Sequence, residues 1–228
     1  MDWSTRCAVV IPCLNEAGTI ASLVGQCRRH LPTVIVVDDG SSDETARRAD
    51  HAGARVLRHD RPRGKGVALE LGWGAARQAG FTWAMTLDGD GQHAPEDIPN
   101  FLARASATEA KLIIGNRMAH ASRMPLVRRW VNRWVSRQLS GAAGKEFPDA
   151  LCGFRLVHLP AWSRLFLQTK NFEVESELLM AYHDAGHAID FVPVQLIYKN
   201  ERSKIHPLRD TVRWFRWYRG RGRRQGDS

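Results

Sequence analysis

The chain has few cysteines and no long apolar run, and both absences narrow what it can be. Its cysteines are Cys7, Cys13, Cys27 and Cys152, and they show no paired spacing of the kind that structural zinc sites need. Three of them lie in or beside apolar segments, where a free thiol behaves as a small hydrophobe, so we expect reduced thiols in a cytosolic protein. No segment approaches the ~20 uninterrupted apolar residues of a membrane-spanning helix, and we expect neither export nor a spanning helix.

Acidic residues are scarce in two stretches of the later half. The net charge is +9. Residues 116–140 contain no acid and carry Arg117, Arg123, Arg128, Arg129, Arg133 and Arg137. From Glu201 onward nine basic residues face three acidic ones, which places six of the nine net charges there. Such zones predict an anionic partner, namely nucleic acid, acidic lipid or a phosphorylated substrate. We expect the Arg/Gly tail, 219–228, to be disordered.

Short β-branched runs alternate with helical patterns in the first half. The predicted strands are 8–11, 34–37, 55–57, 83–87 and 112–115, and the predicted helices are 19–30, 43–52, 65–79 and 98–107. This order predicts an α/β fold with a mostly parallel sheet flanked by helices. In the less regular later half we predict helices at 126–139 and 173–185 and strands at 154–157 and 189–198.

The run MTLDGDGQH, residues 85–93, ends an apolar strand in two carboxylates and an amide. If the backbone stays extended, Asp88, Asp90 and Gln92 project from one face, while Gly89 lets a ligand approach the main chain closely. Oxygen donors of this kind suit Mg²⁺ or Mn²⁺ shared with substrate phosphates. The alternative is a polar turn after a buried strand, because Asp and Gly favour turns.

Other polar residues also follow predicted strands. These residues are Asn15 and Glu16 after the first strand, Asp38 and Asp39 after the second, and Arg117 after the fifth. Ligands of parallel sheets bind outside the carboxyl ends of the strands, so we expect all of these side chains at one site. Lys65, between two glycines at a helix start, suits a phosphate, and an ordinary surface lysine is the alternative.

Eight motifs follow one another along the chain: VVIPCLNE (9–16), VVDDGSSDET (36–45), GKG (64–66), LDGDGQH (87–93), IGNR (114–117), DALCGFR (149–155), NFEVESELL (171–179) and RSKIHPLRD (202–210). In this order they resemble family 2 glycosyltransferases, above all the group of dolichol-phosphate mannose synthases and polyprenyl-phosphate glucosyltransferases. Ordered agreement at eight places along nearly the whole chain is far more specific than any single motif.

The resemblance implies a GT-A fold that binds a nucleotide-diphosphate sugar and Mg²⁺ or Mn²⁺. It implies a single domain, 1–218, with a nucleotide-sugar half (1–117) and an acceptor and membrane-surface half (118–218). Pro12, Asn15, Glu16 and Asp39 would line the nucleoside pocket, and Asp88 would lie near ribose or metal. Asp90 and Gln92 would hold the cation against the diphosphate, where leaving-group charge develops.

The implied acceptor is a polyprenyl phosphate, to which the sugar is transferred with inversion. A phosphate monoester is largely a dianion at neutral pH and needs positioning more than deprotonation. Arg117 and Arg128 match the acceptor-phosphate arginines, and guanidinium groups hold phosphate oxygens in pairs. By the same resemblance, the side chains of a mobile loop would close over the diphosphate; these are Arg202, Ser203 and Lys204.

Two later helical patterns combine tryptophans with arginines. Residues 126–139 place the apolar side chains Leu126, Val127, Trp130, Val131, Trp134 and Val135 on one arc, and residues 208–218 repeat the design. Such helices are typical of an interface with an anionic membrane. We therefore expect a peripheral protein on the cytoplasmic membrane face. Packing of one apolar stripe on the protein's own core is the alternative.

Three other functions fit parts of the pattern. A family 2 enzyme with a hydroxyl acceptor would need a base, which Glu173 or Glu175 could supply. A nucleic-acid-binding module would explain the basic stripes but not the carboxylates after the strands, and we expect no nucleic acid partner. A nucleotidyltransferase comes last because its Gly-rich signature is absent after the first strand.

Overall fold

The computed structural model describes residues 2–119, 124–197 and 207–225. Its strands are β1 (Cys7–Cys13), β2 (Val34–Asp38), β3 (Arg55–Arg58), β4 (Trp83–Thr86), β5 (Leu112–Asn116), β6 (Arg155–His158) and β7 (Ile189–Pro193). Its α-helices are α1 (Ile20–Arg28), α2 (Thr45–His51), α3 (Lys65–Gln78), α4 (Ile98–Ala107), α5 (Leu126–Ala143), α6 (Leu159–Trp162), α7 (Val174–Asp184) and α8 (Pro207–Gln225). A short 3-10 helix, Pro95–Asp97, precedes α4.

The hydrophobic pattern of the sequence explains how the central β-sheet packs against its helices. All seven residues of β1 are buried, as expected for a strand covered by helices on both faces of a parallel sheet. Helix α3 covers this sheet with buried side chains three and four residues apart, including Leu69, Trp73 and Ala76. Trp73 is fully buried and satisfies its indole N–H by donating to Thr86 Oγ1 at 3.0 Å.

Within the described residues the strands form one sheet in the order β3-β2-β1-β4-β6-β5-β7. Among the seven described strands only β6 is antiparallel, and it lies between β4 and β5. The prediction of an α/β fold with a mostly parallel sheet is confirmed. The chain leaves β1 toward β2 and β3 on one side and returns to β4 on the other. The point where the strand order reverses is therefore between β1 and β4, where open α/β sheets bind ligands.

The carboxy-terminal region differs from the prediction. Helix α8 continues to Gln225, so the expectation of a disordered tail from residue 219 is wrong as far as that residue. Strand β7 ends at Pro193 instead of extending to 198. None of the helices in the described residues is long and apolar enough to cross a membrane.

Helix α5 does not have the single apolar arc that was predicted. Val135 and Leu139 are buried, but so is Asn132, which the pattern placed on the polar side. Asn132 faces the interior because it donates a hydrogen bond from Nδ2 to the buried Asp149, at 2.9 Å. Four apolar side chains near the start of the helix are exposed; they form the α5 apolar patch, defined as Leu126, Val127, Trp130 and Val131.

Helix α8 packs on α5 and α7 through aromatic side chains. Trp214 is buried, contacts Trp134 edge-to-face at 5.3 Å and donates from Nε1 to Ser176 Oγ at 3.0 Å. Tyr218 stacks on Trp214 at 5.0 Å. The predicted apolar side of α8 is thus largely occupied by the protein itself, and Val212 and Phe215 remain partly exposed.

Candidate functional site

The loops after β1 and β2 are joined at the predicted nucleoside side of the site. Asn15 is exposed and adopts a positive φ of 53°, and its Oδ1 accepts the backbone N–H of Ser42 at 2.9 Å. The backbone N–H of Glu16 donates to Thr45 Oγ1 at 2.8 Å. Pro12 is buried beside this junction, within β1. The two loops therefore form one rigid rim.

Asp38 and Asp39 are buried, and the structure uses both carboxylates internally. Asp38 accepts the backbone N–H of Ser41 at 2.9 Å and lies 3.2 Å from Arg58 Nε. Asp39 accepts the backbone N–H groups of residues 63 and 64, at 2.9 and 2.8 Å, and contacts His59 Nδ1 at 2.7 Å. Asp39 thus shapes the loop that leads into α3, and its role toward a nucleoside stays a prediction.

The LDGDGQH segment turns instead of staying extended. The strand ends at Thr86, the chain turns at Gly89 and Asp90, and Asp90 Oδ1 accepts the backbone N–H of Gln92 at 3.0 Å. The assumption of an extended run, with three side chains on one face, is wrong. Gly89 is required because a Cβ there would lie 2.9 Å from Cys13 Cβ, and its carbonyl accepts from Thr19 Oγ1 at 2.7 Å.

The crevice of the candidate site lies beyond the carboxyl ends of β1 and β4, where the strand order reverses. Lys65 and Asp88 meet directly there. Lys65 Nζ lies 2.5 Å from Asp88 Oδ1 and 2.5 Å from Glu175 Oε1, while His93 Nε2 lies 3.5 Å from Asp88 Oδ2. Burial opposes ionisation of Asp88, but Lys65 and His93 outweigh burial and hold its pKa well below its usual range. Lys65 thus contacts two carboxylates, and its predicted phosphate contact stays a prediction.

A hydrogen bond from Arg128 joins helix α5 to the candidate metal residues Asp90 and Gln92. Asp90 and Gln92 are half-buried, and Gln92 Oε1 accepts a hydrogen bond from Arg128 Nη1 at 3.3 Å. In the described part of the chain no three His, Cys, Asp or Glu side chains converge as a ready-made metal site. The oxygen donors fit Mg²⁺ or Mn²⁺ held largely by substrate phosphates and water, the usual mode for Mg²⁺.

Arg117 is oriented by a buried carboxylate. Asp149 is fully buried and accepts from Arg117 Nε and Nη2, both at 2.8 Å, and from the Arg117 backbone N–H at 3.0 Å. Burial opposes ionisation of Asp149, but Arg117 lowers its pKa overall. Nη1 of Arg117 takes no part in these bonds. A paired guanidinium held in this way can present its remaining N–H groups to a phosphate.

Sequence reasoning did not identify the partners of the predicted residues. His93 is buried against Phe154, with ring centroids 5.3 Å apart, and its place at the end of LDGDGQH was the available signal. Arg202, Ser203 and Lys204 lie outside the described residues. The backbone N–H of Ile197, the last described residue before them in the sequence, donates to the Gln92 carbonyl at 3.0 Å.

Comparison with known proteins gives a family and two informative relatives. The profile described as Glycosyl transferase family 2 matches residues 8–166. A polyprenol monophosphomannose synthase from Mycolicibacterium smegmatis is 35% identical over 210 residues, covering 83% of this chain and 76% of the relative. An undecaprenyl-phosphate mannosyltransferase from Micrococcus luteus is 30% identical over 211 residues, covering 84% of each.

A solved structure shares the fold. Glucosyl-3-phosphoglycerate synthase from Mycobacterium tuberculosis, crystallised with Mn²⁺, uridine diphosphate and phosphoglyceric acid, superposes with a TM-score of 0.72. The likeness covers 92% of this chain and 75% of that one, at 23% sequence identity. At this identity the likeness establishes the common fold.

Proposed function

Since the chain belongs to glycosyl transferase family 2 and is a glycosyltransferase with a GT-A fold, we propose that it transfers a sugar, with inversion, from a nucleotide-diphosphate sugar to a polyprenyl phosphate. The predicted family resemblance and fold are confirmed. The lipid acceptor, the metal and the membrane surface belong to the proposal. They are supported by the geometry of the crevice and by relatives named for polyprenyl-phosphate substrates.

The contact between Arg128 and Gln92 carries the proposal. Arg128 lies in the first turn of α5, between the exposed Val127 and Trp130, yet its guanidinium reaches the candidate metal residue Gln92. A lipid phosphate has an apolar chain joined to an anionic group. A helix that presents apolar side chains to its surroundings and an arginine to the crevice suits both parts of such a molecule.

The acceptor phosphate would be held by Arg117 and Arg128. Asp149 keeps the Arg117 guanidinium in one orientation, so little conformational entropy is lost when it binds an anion. The phosphate oxygen attacks the anomeric carbon, and the bond to the nucleoside diphosphate breaks with inversion. When bound, Mg²⁺ or Mn²⁺ at Asp90 and Gln92 would neutralise the charge that develops on the diphosphate.

A hydroxyl acceptor is disfavoured by the contacts of Glu173 and Glu175, the two glutamates that could serve as its base. Such an acceptor needs a carboxylate that can take a proton. Glu175 is buried with the Lys65 ammonium at 2.5 Å, and Glu173 is 3.1 Å from Arg213 Nε. Both carboxylates are therefore buried against cations of the protein itself instead of facing an acceptor hydroxyl, whereas a phosphate dianion requires no base.

Transfer to lipid tests the proposal. The full chain is incubated with labelled UDP-glucose, UDP-N-acetylglucosamine or GDP-mannose, with Mg²⁺ or Mn²⁺ and undecaprenyl phosphate, and the label extracted into organic solvent is counted. We expect organic label from one donor, its loss with EDTA, and its loss in Asp90→Asn. Asp50→Asn is the matched control, because Asp50 is exposed on α2. Donor binding without organic label from any of the sugars would refute the lipid acceptor.

A further inference from the structure

Glu175 is a buried carboxylate that contacts Lys65, the residue that in turn contacts Asp88. It lies in the first turn of α7, and its Oε1 is 2.5 Å from Lys65 Nζ. The same ammonium lies 2.5 Å from Asp88 Oδ1, so it joins two carboxylates from different elements. A buried charge is costly without a partner, and the Lys65 ammonium, together with the nearby guanidinium of Arg155, compensates Glu175.

The backbone on either side of Lys65 is fixed. The N–H of Gly64 donates to Asp39 Oδ2 at 2.8 Å, and the N–H of Gly66 donates to the carbonyl of Lys170 at 2.9 Å. Gly64 has a φ of +106°, and a Cβ there would lie 2.2 Å from the Lys170 carbonyl oxygen. Lys65 therefore starts from a defined point, and the direction of its side chain is set by its two carboxylate partners.

Helix α7 also fixes the segment that contacts Gly66. Glu177, two residues beyond Glu175, accepts the backbone N–H groups of Gln168 and Thr169 at 3.0 and 2.8 Å. That segment leads to Lys170, whose carbonyl accepts from Gly66. Two glutamates of α7 thus hold Lys65, one through its ammonium and one through the neighbouring chain.

We propose that Glu175 is a positioning residue that orients Asp88 through Lys65 for binding of the nucleoside diphosphate and its cation. Asp88 begins the turn that carries Asp90 and Gln92. With Lys65 held at Oδ1 and His93 near Oδ2, both carboxylate oxygens have defined neighbours. Without Glu175, Lys65 loses one of its two anchors, and Asp88 loses the fixed cation that sets its rotamer. This role rests on the proposed function, because it presumes that a nucleotide binds in this crevice.

Helix α7 provides a matched control for the test. Glu173 is two residues away and equally buried, but it pairs with Arg213 of α8 instead of Lys65. Glu175→Gln and Glu173→Gln remove the same charge from the same end of the same helix. Only the first removes a contact to the residue that holds Asp88.

Nucleotide binding is measured by calorimetric titration of the full chain with UDP and with GDP, in the presence of Mn²⁺ and without sugar or lipid. We expect Glu175→Gln to weaken binding of the preferred nucleotide by about tenfold, a usual effect of losing a side chain that orients a ligand-binding residue. Glu173→Gln should stay within about twofold of wild type. Glu175→Asp, which keeps the charge but shortens the side chain, should weaken binding to an intermediate degree and serves if Glu175→Gln does not fold.

A double-mutant cycle separates positioning from general destabilisation. If Glu175 acts through Asp88, adding Glu175→Gln to Asp88→Asn should cause almost no further loss of nucleotide affinity. Additive losses, or equal losses in Glu173→Gln and Glu175→Gln, would overturn the role. Absence of binding of either nucleotide by wild type would refute the proposed function together with this role. Normal wild-type binding with unchanged binding in both Glu175 variants would refute the role of Glu175 alone.

Discussion

Asp149→Asn should destabilise the fold strongly, because Asp149 is the buried centre of four hydrogen bonds. Oδ2 accepts the Arg117 backbone N–H and Nε, and Oδ1 accepts Arg117 Nη2 and Asn132 Nδ2. An asparagine has one carbonyl oxygen, which can replace only one of the two carboxylate oxygens as an acceptor. Its NH2 group then points at the two N–H donors that faced the other oxygen, and the Arg117 guanidinium loses its counter-charge.

The magnitude follows from the loss of one partner of a buried ion pair, which costs about 3–5 kcal/mol of unfolding free energy. For a chain of this size each kcal/mol lowers the midpoint of thermal unfolding by about 2–4 °C, so we expect a decrease of roughly 10 °C. Urea and thermal unfolding of the wild type and variant at pH 7 measure both quantities. Asp190→Asn is the control, because its contact with Arg104 at 3.6 Å is partly exposed and should contribute less than about 1 kcal/mol.

The destabilisation caused by Asp149→Asn should depend on pH. The folded-state pKa of Asp149 is lowered, so its stabilising contribution is present above the unfolded-state pKa of about 3.9 and is lost as pH falls through the folded-state pKa. The difference in unfolding free energy between wild type and Asp149→Asn should therefore be full at pH 7 and shrink in strong acid. An Asp149→Asn variant that unfolds within about 1 kcal/mol of wild type at pH 7 would refute the reasoning.

Three further predictions concern the acceptor side, the membrane surface and acid stability. Arg128→Gln should raise the KM for polyprenyl phosphate at least about tenfold, as expected for a lost charge-assisted contact, whereas Arg129→Gln should leave this KM unchanged. Equal effects of the two variants in a transfer assay would contradict the role of Arg128 at the acceptor phosphate. Trp130→Ser should weaken sedimentation with anionic vesicles by about tenfold, because the apolar surface that Trp130 exposes is lost. Phe166→Ser should not weaken it, although that side chain is 81% exposed, because Phe166 lies outside the α5 apolar patch. Unchanged vesicle binding in Trp130→Ser would rule out the α5 apolar patch as the membrane surface. Burial and neighbouring cations lower the pKa of His158 to about 4 from an unfolded value near 6.5. The unfolding free energy should therefore fall as the pH decreases from 6.5 to 4, and it should fall less in His158→Asn. Identical pH profiles of the two proteins, measured by urea titration, would contradict this prediction.

Much of the site could be predicted from local sequence, because the features that mark it are local. Apolar runs of strand length end in polar residues, and parallel strands bring their carboxyl ends to one edge. This logic predicts that Asn15, Asp39 and Asp88 surround one crevice, and it placed α4 at its observed bounds, Ile98–Ala107. It failed at the backbone of the LDGDGQH segment, where two glycines permit a turn as readily as an extended run.

The amphipathic helices show where pattern reading stops. Periodicity identified α5 correctly as a helix, but it assigned Asn132 to the polar face. Asn132 is buried because Asp149, seventeen residues later, offers it an acceptor in the interior. Conversely, Leu126 and Val127 are more than 70% exposed although they are apolar. A hydrophobicity pattern indicates which side chains favour burial. It does not indicate which surface of the folded protein each side chain contacts.

By itself, then, the sequence determined the α/β class, the order of the first strands and helices, and the family. The tertiary structure decided that β6 enters the sheet antiparallel between β4 and β5, that Lys65 is held between Asp88 and Glu175, and that Asp149 orients Arg117. The physical reason is the range of the interactions. Strand and helix periodicity arise between residues a few positions apart, whereas Lys65 and Glu175 are 110 positions apart and meet only because the packing of α3 and α7 brings them into contact.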